Sequence, residues 1–582
     1  MRSLGYLNKF LIKYKYKLAL GVLFVILSNI FSLLPAKYIG DAFRIIEDFI
    51  SLSSSEQVSS NFNNKLLNIV LFILLAICIK GLFMFLMRQT IIVVSRKIEF
   101  DLKNEIYDHY QYLPMSFFRN NRKGDILNRI SEDVTKVRMY LGPAILYSLN
   151  LTCLISFVIF RMVYISPELT FWVLVPLPFL SFLIYKISYS INLNSELIQV
   201  KLAELTNLTQ QFIRSIKVIK SFNAERDSLD DFNNSSSDYM KSQLSLIKIN
   251  SMFFPLMILL VGMSTLLTIW AGEKLVRYGE IDIGVIAEFI IYVNMLTWPV
   301  TSIGWVTSIV QTAAASQKRI NEFLSERNNI VSKKSITKKI SGIISFNNVS
   351  FEYKNQKILD KINFNVKKGE FLGIIGNVGS GKSTITQLIC RFLDVNNGQI
   401  LIDNEPIDHI SIDCLRNNIS YVPQESFLFS DTIRNNLIFG NPGASDSQIS
   451  KVIDLVCMTH DISKFKLGLK TYIGERGVTL SGGQKQRLNI ARALLKKSSI
   501  LLLDDSLSNI DVENEKKILS NIYSLKGKKT TLIISNRVSS ISKCDKIIVL
   551  NNGLITESGS HNELLNIDGY YKKIYDLQAI NY

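Results

Sequence analysis

Six long apolar stretches occupy most of the chain up to Val310, and they restrict what it can fold into more than any other feature. They run Leu18 to Ile39, Leu66 to Met87, Ala144 to Val163, Phe171 to Ile191, Phe253 to Ala271 and Ile283 to Val310. Each can cross about 30 Å of hydrocarbon as a helix of ~20 residues. Lipid offers the backbone no hydrogen bonds, so these stretches are expected to be helical. With 582 residues, 48% of them hydrophobic, a membrane domain joined to a soluble one accounts for the length better than a string of small globular domains.

Charge placement gives a topology. Lys and Arg number 66 against 49 Asp and Glu, a net charge of +17. Between the second and third stretches lie Arg96, Lys97, Lys103, Arg119, Arg122, Lys123, Arg129, Lys136 and Arg138, and between the fourth and fifth lie Lys201, Arg214, Lys217, Lys220, Arg226, Lys241 and Lys248. The short connections Ser166 to Leu169 and Glu273 to Glu280 carry few basic residues. Positive residues mark the cytoplasmic side, so both termini are expected there, in a multi-pass protein of the cytoplasmic membrane. The excess charge is then topological. Lipid is the expected surrounding, and no nucleic-acid partner is expected.

Leu4 to Lys17 alternates aromatic and apolar residues with Lys9, Lys13, Lys15 and Lys17, a pattern suited to a helix in the headgroup plane. A cleaved signal peptide is not expected, because no A-x-A-like site follows the first apolar run and five more spans come after it. The six cysteines (Cys78, Cys153, Cys390, Cys414, Cys457 and Cys544) form no C-x-x-C pair. They are expected as free thiols in a reducing compartment rather than as metal ligands.

Both inside loops carry apolar residues at helical spacing, as in Ile198, Leu202, Leu205, Leu208, Phe212, Ile216 and Ile219, so the spans should continue as helices into the cytoplasm. Pro114 and the stretch Asn223 to Asp227 read as turns that present short segments to a soluble domain. A Lys-rich stretch from Ser325 to Lys339 marks a boundary. The expected organisation is a membrane domain over 1–325, a linker over 326–339 and a soluble domain over 340–582.

Beyond the linker the pattern changes to short β-like runs: Ile343 to Phe346, Ile362 to Val366, Phe371 to Ile375, Gln399 to Ile402, Ile419 to Val422, Ile500 to Leu503, Thr530 to Ile534 and Lys546 to Leu550. Helical or turn segments separate them, which predicts an α/β domain with a largely buried sheet. The run ending at Ile375 leads directly into Gly376-Asn377-Val378-Gly379-Ser380-Gly381-Lys382-Ser383-Thr384 and then into a helix-like segment from Ile385 to Phe392. Glycines there let backbone N–H groups wrap phosphates, and the helix N-terminus adds favourable potential for an anion. Lys382 would reach the β/γ-phosphates of ATP. Ser383 would hold Mg²⁺, with Asp504 holding the ion from the end of a second buried strand.

The stretch Leu480-Ser481-Gly482-Gly483-Gln484, followed by a helix-like Lys485 to Leu495, specifies the nucleotide-binding class. Here the chain resembles the ATP-binding cassette (ABC) transporters, whose signature motif it matches in full. The resemblance runs motif by motif from Ile340 onward and covers the membrane half through span number and loop length. It implies a six-helix all-α transmembrane domain followed by an α/β P-loop NTPase domain, as in type IV exporters. Two cassettes would hold two ATPs head to tail, so that Ser481, Gly482, Gly483 and Gln484 serve the nucleotide on the partner's phosphate loop.

The resemblance also assigns neighbouring residues. Tyr353 falls where the family stacks an aromatic ring on adenine, and Gln424 matches the glutamine that joins the Mg²⁺ site to the membrane domain. Gly474-Glu475-Arg476-Gly477 matches a segment used against the intracellular loops, and Ser508-Asn509-Ile510-Asp511 the loop through which two cassettes communicate. Two positions depart from the pattern. Asp505 stands where the family has a glutamate that polarises the attacking water, and losing one C–C bond of about 1.5 Å withdraws the carboxylate by roughly 1–1.5 Å. A displacement of that size can cost on the order of 10²-fold in rate. Asn536 stands where the family has a histidine contacting the γ-phosphate, and an amide donates a hydrogen bond without carrying charge.

An altered site beside an intact signature resembles the degenerate-site subunit of bacterial heterodimeric multidrug exporters. The expected function is ATP-driven export of amphipathic small molecules, drugs or lipid-like compounds, by one half of a dimer whose other half has an intact site. A homodimeric exporter or lipid flippase with slow hydrolysis is the alternative, and an ATP-gated regulatory or channel subunit is another. No protease-like segment precedes Leu4, so a leader-cleaving peptide exporter is not expected. Within the spans, Lys80 is the better candidate for lining the substrate path; Asn294 and Trp298 lie in the sixth span, and Arg88 and Glu288 are expected to snorkel at the span ends.

Overall fold

The computed structural model describes residues 2–51, 56–353, 356–474, 477 and 480–579. The chain forms two compact units, one of Met1–Gln111 with Lys123–Glu326 and one of Tyr112–Arg122 with Arg327–Tyr582.

The first unit is helical. Its main helices are Lys15–Ser51, Glu56–Tyr112, Ile145–Ile165, Pro167–Leu174, Pro176–Arg214, Glu225–Ser251, Phe253–Arg277 and Ile283–Ser325. Five helical segments among the described residues are long and apolar enough to cross a membrane. The fourth apolar stretch, Phe171 to Ile191, runs through Pro167–Leu174 and Pro176–Arg214, where several side chains lie outside the described residues. Several helices are far longer than a bilayer requires: Glu56–Tyr112 has 57 residues, against ~20 for a span. Pro176–Arg214 and Glu225–Ser251 lie side by side, and the chain reverses between them at Asn223, whose φ of 51° is left-handed. Asparagine tolerates that region because its short amide can hydrogen-bond locally.

Two polar features of this unit differ from expectation. Glu288 does not snorkel. It is 3% exposed, accepts a hydrogen bond from Tyr292 Oη at 2.6 Å and faces Arg161 Nε at 3.4 Å. A carboxylate buried among apolar helices needs such partners, and Arg161 comes from a different span. At the N-terminus, Lys9 and Lys13 meet Glu105 and Asp101 at 2.6 and 2.7 Å, so the chain's own carboxylates take two of the lysines expected to face headgroups.

Among the described residues the second unit contains ten strands: β1 (Ile344–Tyr353), β2 (Gln356–Val366), β3 (Phe371–Gly376), β4 (Asn397–Ile402), β5 (Glu405–Pro406), β6 (Ile419–Val422), β7 (Ile500–Asp504), β8 (Thr530–Ile534), β9 (Lys546–Asn551) and β10 (Leu554–Gly559). A four-stranded sheet has the order β2-β1-β4-β5, and a six-stranded sheet the order β10-β9-β3-β8-β7-β6. Every neighbouring pair from β9 to β6 is parallel. Parallel strands covered on both faces read as continuous apolar runs, and every residue of β3, β7 and β8 is buried. β10 escaped the sequence reading because it is an edge strand with alternating exposure and no apolar run. The register sets Val422 beside Leu503, Asp504 beside Ile534, and Ile374 beside Ile534. The carboxyl ends of β3, β6, β7 and β8 therefore share one edge, which is where ligands bind in parallel sheets.

Candidate nucleotide site

That edge gathers the phosphate loop, Gln424, Asp504, Asp505 and Asn536. The loop from Gly376 to Gly381 follows β3, and helix Lys382–Ile389 begins directly after it. Gly376 permits a close approach: a Cβ there would lie 1.9 Å from the carbonyl oxygen of Leu550. Gly381, at φ 99°, makes the left-handed step into the helix, which other residues adopt only at a steric cost. Asn377, Val378 and Gly379 form the exposed crest, while Ser380 is buried and Thr384 is 8% exposed. The Ser380 hydroxyl has no hydrogen-bond partner among the described residues, and Lys382 Nζ turns back onto the carbonyl oxygens of Gly376 and Asn377 at 2.6 and 2.8 Å. A buried hydroxyl without a partner and an ammonium that, among the described residues, bonds to carbonyls of its own loop are donors suited to a phosphate. Burial pushes the Lys382 ammonium below its ordinary value, against the attraction of Asp505 and Asp504.

Asp504 ends β7 and is 2% exposed. Its carboxylate accepts hydrogen bonds from Ser383 Oγ at 2.9 Å, Thr386 Oγ1 at 3.3 Å and Tyr421 Oη at 3.3 Å. Burial raises its pKa above the usual carboxylate range; the three hydroxyls oppose the rise and Asp505 adds to it. The donor set suits Mg²⁺, which takes one or two protein oxygens and completes its shell with water and nucleotide phosphates. No cluster of three or more His, Cys, Asp or Glu residues able to hold a metal by itself occurs among the described residues.

Asp505 sits just past β7 with a φ of 46°, while its N–H donates to the carbonyl of Ile534 at 2.9 Å. Its Oδ2 accepts from two amides, Gln424 Nε2 and Asn536 Nδ2, each at 3.4 Å. Sequence separations of 81 and 31 residues are thus closed at one carboxylate. Tyr353 ends β1, with its hydroxyl 3.4 Å from Gln387 Oε1, and the Arg119 guanidinium lies 4.2 Å from its ring centroid.

The signature residues stand apart from the loop. Ser481 caps helix Gly482–Leu495: its hydroxyl accepts from Gln484 N at 3.3 Å, while Gln484 Oε1 accepts from Ser481 N at 3.0 Å. This reciprocal capping box leaves the helix N-terminus defined and outward. No hydrogen bond joins Ser481–Gln484 to the phosphate loop among the described residues. Gln486 Oε1 accepts from Asn509 N at 2.9 Å, and Arg537 Nη2 donates to Ser508 O at 3.0 Å. The 508–511 loop therefore bridges the signature helix and the Asn536 loop. Glu475 and Arg476 lie outside the described residues.

Sequence reasoning missed Thr386, Tyr421 and Arg119. Thr386 follows Ser383 by one helical turn, a signal that could have been read. Nothing local marks the other two.

Two family descriptions match the chain: the ABC transporter transmembrane region over residues 18–300 and the ABC transporter family over 359–508. The multidrug resistance-like ATP-binding protein MdlA of Buchnera aphidicola is 35% identical over 100% of this chain and 99% of its own length. An ATP-dependent lipid A-core flippase of Aromatoleum aromaticum is 31% identical over 83% of this chain and 81% of its own. The solved structure of a bacterial Atm1-family ABC exporter with ATP bound superimposes with a TM-score of 0.79, covering 97% of this chain and 98% of that one at 24% identity, and so shares the fold. The chain belongs to the ABC transporters, with a helical transmembrane domain and a nucleotide-binding ATPase cassette fused in one polypeptide that couples ATP hydrolysis to export.

Proposed function

We propose that this chain is the unequal half of a heterodimeric exporter of amphipathic small molecules, and that its own phosphate loop turns ATP over slowly. The observation that carries the reading is the Asp505 carboxylate held between two neutral amides, Gln424 and Asn536. A shortened acid bonded to amides is poorly placed to polarise an attacking water, and Asn536 brings no charge to a γ-phosphate. The outward, well-capped helix start at Ser481 favours a signature that serves another chain's nucleotide.

In this reading Tyr353 stacks adenine and the loop from Gly376 to Thr384 cradles the phosphates. Ser383, Gln424 and Asp504 hold Mg²⁺, and Ser481, Gly482, Gly483 and Gln484 face the partner. The membrane domain spans 1–325, the linker 326–339 and the cassette 340–582, with both termini in the cytoplasm. The drug-like or lipid-like substrate class follows the names of the relatives, a multidrug resistance-like protein and a lipid A-core flippase.

Phosphate release by the purified chain, alone and co-purified with a second half-transporter carrying glutamate and histidine at the two altered positions, tests the proposal. Slow turnover alone and fast turnover in the mixed dimer is expected. Brisk turnover by the chain alone would favour a homodimer and overturn it.

A further inference from the structure

Both ends of helix Tyr570–Ala579, the last among the described residues, reach the nucleotide site. Its start is fixed by Glu557, whose carboxylate accepts from the backbone N–H of Tyr570 at 2.5 Å and of Tyr571 at 3.2 Å. Tyr571 is fully buried, and its hydroxyl lies 2.7 Å from His561 Nδ1. From this anchored start Tyr570 Oη donates to Asn377 Oδ1, on the crest of the phosphate loop, at 2.5 Å. Eight residues on, about 12 Å along a helix rising 1.5 Å per residue, Gln578 grips the opposite wall. Its Nε2 donates to the backbone carbonyl of Asn536 at 2.8 Å, and its Oε1 accepts from the backbone N–H of Val538 at 2.8 Å. One side-chain amide thus satisfies an acceptor and a donor two residues apart and fixes the backbone that carries the Asn536 side chain.

We infer that Gln578 is a positioning residue for the γ-phosphate contact. Through it the terminal helix, braced on the phosphate loop by Tyr570, sets how far Asn536 stands from the bound phosphates. The inference rests on the assignment of Asn536 to the γ-phosphate made above. An asparagine needs such support more than a histidine would. An amide lacking charge gains little from an approximate approach, whereas a hydrogen bond to phosphate depends steeply on distance and angle. The clamp acts on backbone atoms, so it leaves the Asn536 amide free to leave Asp505 and turn to a ligand.

The test is a double-mutant cycle on the full-length purified chain. ATP and ADP affinities are measured in Mg²⁺ by displacement of a fluorescent nucleotide, for wild type, Gln578→Met, Asn536→Ala and the pair. Gln578→Met keeps side-chain length and removes both amide bonds. It should weaken ATP binding by on the order of tenfold, the loss expected of one misplaced charge-assisted hydrogen bond, while ADP binding stays within about twofold. The defect should vanish in the Asn536→Ala background, because the two changes remove the same contact. Equal weakening of ATP and ADP, or an ATP defect that persists when Asn536 is alanine, would make Gln578 a merely structural residue and overturn the inference. If Asn536→Ala discriminates ATP from ADP and Gln578→Met does not, the γ-phosphate assignment stands and the clamp fails. If Asn536→Ala itself has no effect, both fall. Gln578→Glu, which keeps the acceptor for Val538 N–H and loses the donor, serves if the methionine variant does not fold, and should show a smaller defect of the same kind.

Discussion

The side-chain amide of Asn536 lies 3.4 Å from a carboxylate oxygen of Asp505, so the two positions that the family resemblance leads one to expect as departures touch each other. A change at either therefore alters the environment of the other, and their effects on rate should not add. Asp505→Glu alone is expected to raise phosphate release by the purified chain only a few-fold, because the lengthened acid remains bonded to a neutral amide. Asp505→Glu with Asn536→His is expected to raise it by on the order of 10²-fold, because the reach of the acid takes full effect only when the neighbouring amide is replaced by a γ-phosphate contact as well. A double variant no faster than the single one would place the slow step elsewhere.

Asp504 gives a stability prediction with a definite sign. Burial raises its pKa in the folded, nucleotide-free cassette, so the folded state binds the proton more tightly than the unfolded chain does. Its ionisation then costs stability progressively as pH rises from the unfolded value of about 3.9 through the raised folded value. Asp504→Asn removes that cost. The melting temperature of the nucleotide-free variant should exceed wild type at pH 7 and converge with it at or below about pH 4. Addition of Mg²⁺ and ATP should stabilise the wild type more than the variant, since the cation favours the carboxylate that the variant lacks. A gap that is constant with pH would show that some other contact is responsible.

Glu288 and Arg161 join two different helices of the membrane domain at 3.4 Å. Removing one partner of a buried pair leaves an uncompensated charge, so Arg161→Met is expected to destabilise the detergent-solubilised chain by roughly 3 kcal/mol. Tyr292→Phe, which removes the hydroxyl that donates the 2.6 Å hydrogen bond to Glu288, should cost about 1.5–3 kcal/mol. The pair Arg161→Met with Glu288→Met should recover most of the loss. Thermal melting in one detergent measures all three, and a double variant as unstable as Arg161→Met alone would argue against a paired role.

Lys80 is half-buried, and it recurs with the inward-facing Ala76 and Met87 along its helix. If it lines the substrate path, Lys80→Ala should tighten binding of a cationic amphiphile several-fold by removing a like charge, read by fluorescence titration of the purified chain. An unchanged affinity would remove Lys80 from the path.

Much of this architecture was legible in the sequence because the signals are local. Apolar runs of bilayer length, glycines spaced to wrap a phosphate and apolar strands ending in acids each follow from short-range physics: desolvation of the backbone, steric freedom at glycine, and burial on both faces of a parallel sheet. All eight strand segments read from the sequence occur, and the phosphate loop stands between β3 and its helix as its spacing requires. The signature helix begins at Gly482, where Ser481 and Gln484 form an S-x-x-Q capping box.

The tertiary structure decided what those elements face. Glu288 read as a span-end residue because it lies near the start of the sixth apolar stretch, and only the approach of a second helix supplied Arg161. Tyr421 and Thr386 reach Asp504, and Gln578 reaches the Asn536 loop, across 42 to 118 residues of chain. No periodicity encodes such contacts, since they exist only where parallel strands bring their carboxyl ends to a common edge. The residue types at positions 505 and 536 raised the expectation of an altered site. That they meet on one carboxylate, with Gln424 as a third member, followed only from the register of β6, β7 and β8.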